Sequence, residues 1–235
     1  MEAPENTVAA FRRALALGAD GIELDVQVTR DRTAVVFHDT TLTRLAHRRE
    51  RLARLVFREL RGIRIQGEPI PTLAEVLALA RRRAVVQIEI KRGVPVAPVV
   101  HALHRARADT GVVLASFDTA IVATARRLAP RLPRMLITRG GGRGRAETLV
   151  PVLAALGATG VSIDHRAIQS PAFVTALHRC GLCVWCWTVN DARAMLRCAS
   201  WGVDAILSDN PALLQSTLAG SYREARPPPV FLPAF

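Results

Sequence analysis

Two carboxylates stand two residues apart in Asp20-Gly-Ile-Glu-Leu-Asp-Val-Gln-Val28, and a third follows in Val85-Val-Gln-Ile-Glu-Ile-Lys91. In the first stretch Ile22, Leu24, Val26 and Val28 alternate with Glu23, Asp25 and Gln27. Alternation of this kind is a strand with one apolar face. Glu23 and Asp25 therefore share the other face, about 7 Å apart along the chain. In the second stretch Gln87, Glu89 and Lys91 alternate with Val86, Ile88 and Ile90. A third acid and an ammonium thus lie on the polar face of another strand. Carboxylates on one face repel unless a cation lies between them, and an all-oxygen set suits Mg²⁺ or Ca²⁺. A further apolar run, Ala34-Val-Val-Phe37, ends on His38-Asp39. It delivers an imidazole, the side chain whose ordinary pKa suits proton transfer near neutrality. The plainer alternatives are a solvent-facing acid pair and a hydrogen-bonded histidine at a strand end. The matching second stretch favours an ion, because charge turned into a sheet is a liability unless it meets a ligand.

The elements that must position these residues are regular. Pro4-Glu-Asn-Thr opens a helix that Asn6 or Thr7 can cap, and Val8, Phe11 and Leu15 recur at helical spacing. Strand, a turn over Arg30–Thr33, and second strand follow. Residues 40–71 form an excursion, with a helix end near Leu60, a loop from Gly67 to Pro71, and an arginine run from Arg44 to Arg64 that reads as a solvated face. Thr72 caps a helix to Ala80. Beyond Lys91, helices are predicted over 96–108, 118–128, 146–156, 171–179, 190–199 and 211–219. Between them come strands over 112–117, 134–138, 160–164, 182–189 and 205–207. Such alternation means right-handed βαβ units and an α/β fold around a parallel sheet of about seven strands. Arg139-Gly-Gly-Gly-Arg-Gly-Arg145 reads as a flexible connection; it matches no nucleotide-loop spacing. Residues 1–220 form one domain, and 221–235, with Arg226-Pro-Pro-Pro229, an extended tail.

The chain has 235 residues, half of them apolar, enough for one large domain. No run of ~18 apolar residues suggests a membrane span. No basic segment followed by an apolar one marks a secretory signal, so a cytoplasmic location is expected. The net charge is +12, and Lys91 is the only lysine. A positive field favours anionic substrates such as phosphate esters. Nucleic acid is not expected, because the arginines are scattered and aromatics are few.

Glu-Asn-Thr, Gly-Ala-Asp-Gly-Ile-Glu-Leu-Asp-Val, Val-Phe-His-Asp, Pro-Thr-Leu-Ala-Glu-Val, Ile-Glu-Ile-Lys, Trp-Thr-Val-Asn and Ser-Asp-Asn-Pro occur in that order. The set resembles the glycerophosphodiester phosphodiesterase family and covers nearly the whole chain. The resemblance implies a TIM (β/α)₈-type barrel that cleaves a glycerophosphodiester to glycerol phosphate and an alcohol. It implies that Glu23, Asp25 and Glu89 hold one Mg²⁺ or Ca²⁺, that Lys91 contacts a phosphate oxygen, and that His38 is an acid/base. By the same resemblance Trp187 and Phe117 wall the substrate pocket, though either could be a core aromatic, and Arg44 lies near the site. Asp209 is expected to cap the last helix, and Glu5 to orient a second histidine. That histidine belongs to a strand ending His-Arg-Gly, with a phosphate-binding arginine, which the family carries some ten residues before Pro-Glu-Asn-Thr. This sequence begins just after it, so a late start or a truncation is expected. The rival reading is a non-catalytic barrel that binds phosphodiesters or a partner. The turn at Arg32, where the family commonly has glycine, is expected to be wider.

Cys180, Cys183 and Cys186 have the spacing of a metal run. Cys183 and Cys186 nevertheless lie on a strand and face opposite ways. They are expected to be buried small side chains, and Cys183→Ala to leave bound metal unchanged in a metal assay.

Overall fold

A computed structural model describes residues 3–108, 110–140 and 145–221. Parts of the glycine-rich segment (141–144) and the proline-rich tail (222–235) lie outside the described residues. Thr7 closes the first helix, α1 (Val8–Ala16), by accepting from the amide of Ala10 at 3.2 Å. β1 (Gly21–Val28) follows, and β2 (Ala34–Val36) folds back antiparallel to it. Arg32 itself takes the left-handed conformation (φ 62) that glycine would take, and its amide donates to the carbonyl of Thr29.

The excursion contains α2 (Thr43–Ala46), a short 3₁₀ turn, α3 (Phe57–Leu60), and a small hairpin of β3 (Arg64–Ile65) and β4 (Glu68–Pro69). The hairpin replaces the expected loop. Gln66 and Gly67 both have positive φ (50 and 92), the pattern of a two-residue mirror-image turn. Val35, Phe37, Leu42, Leu52, Leu60, Ile63, Ile65 and Ile70 give this region a core of its own.

α4 (Leu73–Ala80) starts with a reciprocal cap. Thr72 Oγ accepts from Glu75 N, and a Glu75 carboxylate oxygen accepts from Thr72 N at 2.7 Å. Strands and helices then alternate: β5 (Val85–Ile90), α5 (Val96–Ala106), β6 (Val112–Ser116), α6 (Thr119–Leu128), β7 (Arg134–Thr138), α7 (Ala146–Leu156), β8 (Gly160–Asp164), α8 (Pro171–Arg179), β9 (Cys183–Trp187), α9 (Ala192–Ser200), β10 (Ala205–Ile206) and α10 (Pro211–Ser221). The sheet order is β10-β9-β8-β7-β6-β5-β1-β2. Every pairing in it except β1 with β2 is parallel.

The period of two decides what each strand shows to each side. Ile22, Leu24, Val26, Val86, Ile88 and Ile90 pack outward with residues of α4 and α5, while Val161, Ile163, Val184 and Cys186 pack with α8 and α9. The inner face splits. Val113, Ala115, Met135 and Ile137, with Trp185 and Trp187, form an apolar wall. Beside them in the sheet β5 and β1 present Gln87, Glu89, Glu23 and Asp25. A side chain at Gly160 would run into Met135 and the carbonyl of Cys183, so the sheet closes tightly there.

The sheet curls as an open barrel. Along Gly21–Asp25, β1 pairs only with β5, and β10 pairs only with β9. The two sides are linked outside the sheet, where Gln215 Nε2 of α10 donates to the carbonyl of Gly18, before β1, at 2.6 Å. A cavity of about 2500 Å³ runs along this side and reaches the carboxylates. Among the described residues no helix is long and apolar enough to cross a membrane. All four cysteines are free thiols; Cys183 borders the inner wall while Cys186 and Cys198 lie in the helix-facing core. Because Arg32 is exposed and left-handed, Arg32→Gly is expected to stabilise the fold by about 1 kcal/mol in urea denaturation.

Candidate active site

The carboxyl ends of parallel strands are where an α/β barrel gathers side chains from several elements. Here β1 and β5 are neighbours in a register that sets Asp25 beside Glu89 and Glu23 beside Gln87. One oxygen from each of Glu23, Asp25 and Glu89 lies within 4.8 Å of the others, a set that could hold a metal ion. Asp25 and Glu89 are buried. Glu23 keeps some exposure as a residue, but its carboxyl is enclosed.

Lys91 Nζ sits 2.6 Å from Asp25 Oδ1 and 2.6 Å from Glu89 Oε1. Three carboxylates against one ammonium leave two negative charges uncompensated, which fits a divalent cation. The electrostatics follow. Burial, then Asp25 and Glu89, push the Glu23 carboxyl well above the ordinary carboxylate range. Burial also raises Glu89, although Lys91 opposes it. For Lys91 burial acts downward, but Asp25 and Glu89 outweigh it and the ammonium is held more firmly than usual.

The imidazole lies next to this cluster. Phe37 N donates to the carbonyl of Asp25 at 2.9 Å, and Gln27 Nε2 donates to the carbonyl of His38 at 3.2 Å. His38 Nδ1 is 2.6 Å from Asp39 Oδ1, which leaves Nε2 for chemistry. Asp39 is itself held. Arg44 Nε donates to Asp39 Oδ2 at 2.7 Å, and the two terminal nitrogens of Arg44 reach both oxygens of Glu5 at 2.9 and 2.6 Å. The hydrogen bonds from Arg44, before other effects, hold the Asp39 carboxyl below its usual range. Arg44 is therefore exposed but tied, by ion pairs to Glu5 and Asp39. Glu5 orients it and, through Asp39, the ring of His38.

Phe117, 44% exposed, stands at the rim against Trp187, with ring centroids 5.7 Å apart and planes at 79°. The indole N–H of Trp187 is buried with no hydrogen-bond partner. Both rings line the cavity that contains Glu23, Asp25, His38, Glu89 and Lys91. Asp209 does not cap α10. Asn210 does so, its side chain accepting from Leu213 N at 3.0 Å, while Asp209 accepts from Asn190 Nδ2 at 2.8 Å. Sequence reasoning missed Asn6, whose amide bonds Asp25, because Asn6 and Thr7 are equally good caps on paper. The same holds for the loop contact of Asp39 with Arg44.

The glycerophosphoryl diester phosphodiesterase family model matches residues 1–213. A glycerophosphodiester phosphodiesterase of Caldanaerobacter subterraneus is 33% identical over 226 residues, covering 90% of each chain. Among solved structures, an Oleispira antarctica phosphodiesterase in complex with the product sn-glycerol-3-phosphate superposes with a TM-score of 0.83 at 26% identity, covering 92% of each chain. A glycerophosphodiester phosphodiesterase from Agrobacterium tumefaciens does so at 0.80 and 27%, covering 91% of this chain and 94% of that one.

The raised Glu23 carboxyl has a sign. The folded chain holds that proton more tightly than the unfolded chain, so the contribution is fully present below the ordinary value of 4.5 and is lost as pH climbs through the raised one. In EDTA, Glu23→Gln is therefore expected to melt a few degrees above the parent near neutrality. The gap should shrink toward about pH 4, as read by differential scanning fluorimetry.

Proposed function

Because the chain belongs to the glycerophosphoryl diester phosphodiesterase family, we propose that it hydrolyses small anionic glycerophosphodiesters to glycerol phosphate and an alcohol. One divalent cation, Mg²⁺ or Ca²⁺, is held by Glu23, Asp25 and Glu89. What carries the reading is the convergence of those three oxygens within 4.8 Å, with Lys91 and His38 in the same cavity. A cation held there offsets phosphoryl charge and polarises a nucleophilic oxygen. Lys91 takes a phosphate oxygen, and its firmly held charge keeps it a cation at working pH. His38 moves a proton at Nε2, with Asp39 fixing the tautomer through Nδ1. Phe117 and Trp187 wall the organic part of the substrate, with the apolar side of the barrel behind them. The overall charge of +12 draws such substrates toward the protein.

The test is release of glycerol phosphate from glycerophosphodiesters with Mg²⁺ or Ca²⁺. It is run on this chain and on a version preceded by a His-Arg-Gly strand, which would supply His38 with the partner histidine that the resemblance implies. Activity is expected to fall about a hundredfold or more in EDTA, in Glu89→Gln and in His38→Ala. Binding of the diester without release, in either chain and any metal, would replace the hydrolase with a phosphodiester-binding barrel.

A further inference from the structure

Asn6 has a left-handed backbone (φ 57), a conformation that non-glycine residues rarely adopt. Helix α1 does not ask for it, because Thr7 makes the cap. The side chain of Asn6 turns instead to β1. Its Nδ2 donates to Asp25 Oδ2 at 2.8 Å, and its Oδ1 accepts from Asp25 N at 3.1 Å. One residue thus holds both the backbone and the carboxylate of Asp25, which is only 6% exposed. The other carboxylate oxygen, Oδ1, is the one that meets Lys91 Nζ, and that nitrogen is equally close to Glu89 Oε1. With Oδ2 held by Asn6 and Oδ1 by Lys91, rotation of the carboxylate is stopped, and it stays within reach of the Glu23 and Glu89 carboxylates. A neutral amide does this without adding a positive charge that would compete for the same oxygens. Backbone conformations held against their preference persist where the surroundings over-determine them, and two hydrogen bonds to one buried acid do that here.

We propose that Asn6 is a positioning residue for Asp25, and that the turn before α1 is kept left-handed so that the Asp25 carboxylate is presented to the divalent cation. This rests on the ion site proposed above. The test uses the full chain and Mn²⁺ as the probe, titrated by electron paramagnetic resonance on the parent, Asn6→Gly, Thr7→Ala and Glu89→Gln. Glycine relaxes the turn while removing the amide. Losing both bonds to a buried acid outweighs the relaxed turn, so Asn6→Gly should melt below the parent in EDTA, much as Thr7→Ala does, while its Mn²⁺ affinity falls about tenfold or more. Thr7→Ala loses the helix cap, so it should melt lower yet bind Mn²⁺ within about twofold of the parent. If Asn6→Gly binds as tightly as the parent while Glu89→Gln is weakened, the positioning role is wrong and the ion site stands. Equal losses in Asn6→Gly and Thr7→Ala would trace the effect to general stability and also overturn it. If Glu89→Gln leaves binding unchanged, the ion site fails and the role of Asn6 fails with it.

Discussion

Three acids drawn to one point inside a sheet require positive charge at that point. At an effective dielectric of about 20, unit charges 4 Å apart interact by about 4 kcal/mol. Repulsion of that size exceeds what most single packing contacts return. The chain answers with its one lysine, set two residues beyond Glu89 so that it shares the strand face of that acid. The answer is incomplete, because Glu23 remains strongly disfavoured as an anion. Much of the architecture follows from that. β1 and β5 have to be parallel neighbours in the register that sets Asp25 against Glu89. Their outer faces have to be apolar, to pack against α4 and α5.

Around the cluster the molecule keeps two jobs on two sets of supports. Asp25 is held from the turn before α1, and its backbone carbonyl is taken by Phe37. His38 is held by Asp39, Arg44 and Glu5, a chain of charge-assisted bonds of which the Arg44–Glu5 link is bidentate. Neighbouring residues in one turn, Glu5 and Asn6, serve the two sets. The bonds are individually modest where they are exposed. Their value lies in direction, since each fixes one rotatable carboxylate or ring.

Whatever depends on period alone was legible in the chain. Glu23, Asp25, Glu89 and Lys91 could be placed together because a strand has two faces, and polar residues on one of them announce a polar interior. The alternation of strands and helices from residue 85 onward was legible for the same reason. Whatever depends on which loops meet was not. Arg44 and Glu5 are 39 residues apart, and nothing in an arginine run says which member pairs with a distant acid. Asp209 and Asn210 are both capable caps; the choice is made by Asn190, which reaches across to occupy Asp209. The hairpin at Gln66-Gly67 was hidden because its strands are two residues each, too short to show a period.

The excursion between β2 and α4 has a core that is separate from the helix-facing cores of the barrel. Arg44 belongs to that excursion, whereas the carboxylates belong to the barrel. Sequence drift within the excursion therefore reaches the imidazole directly, through Arg44 and Asp39, but reaches the carboxylates on β1 and β5 less directly, through the Phe37–Asp25 backbone bond.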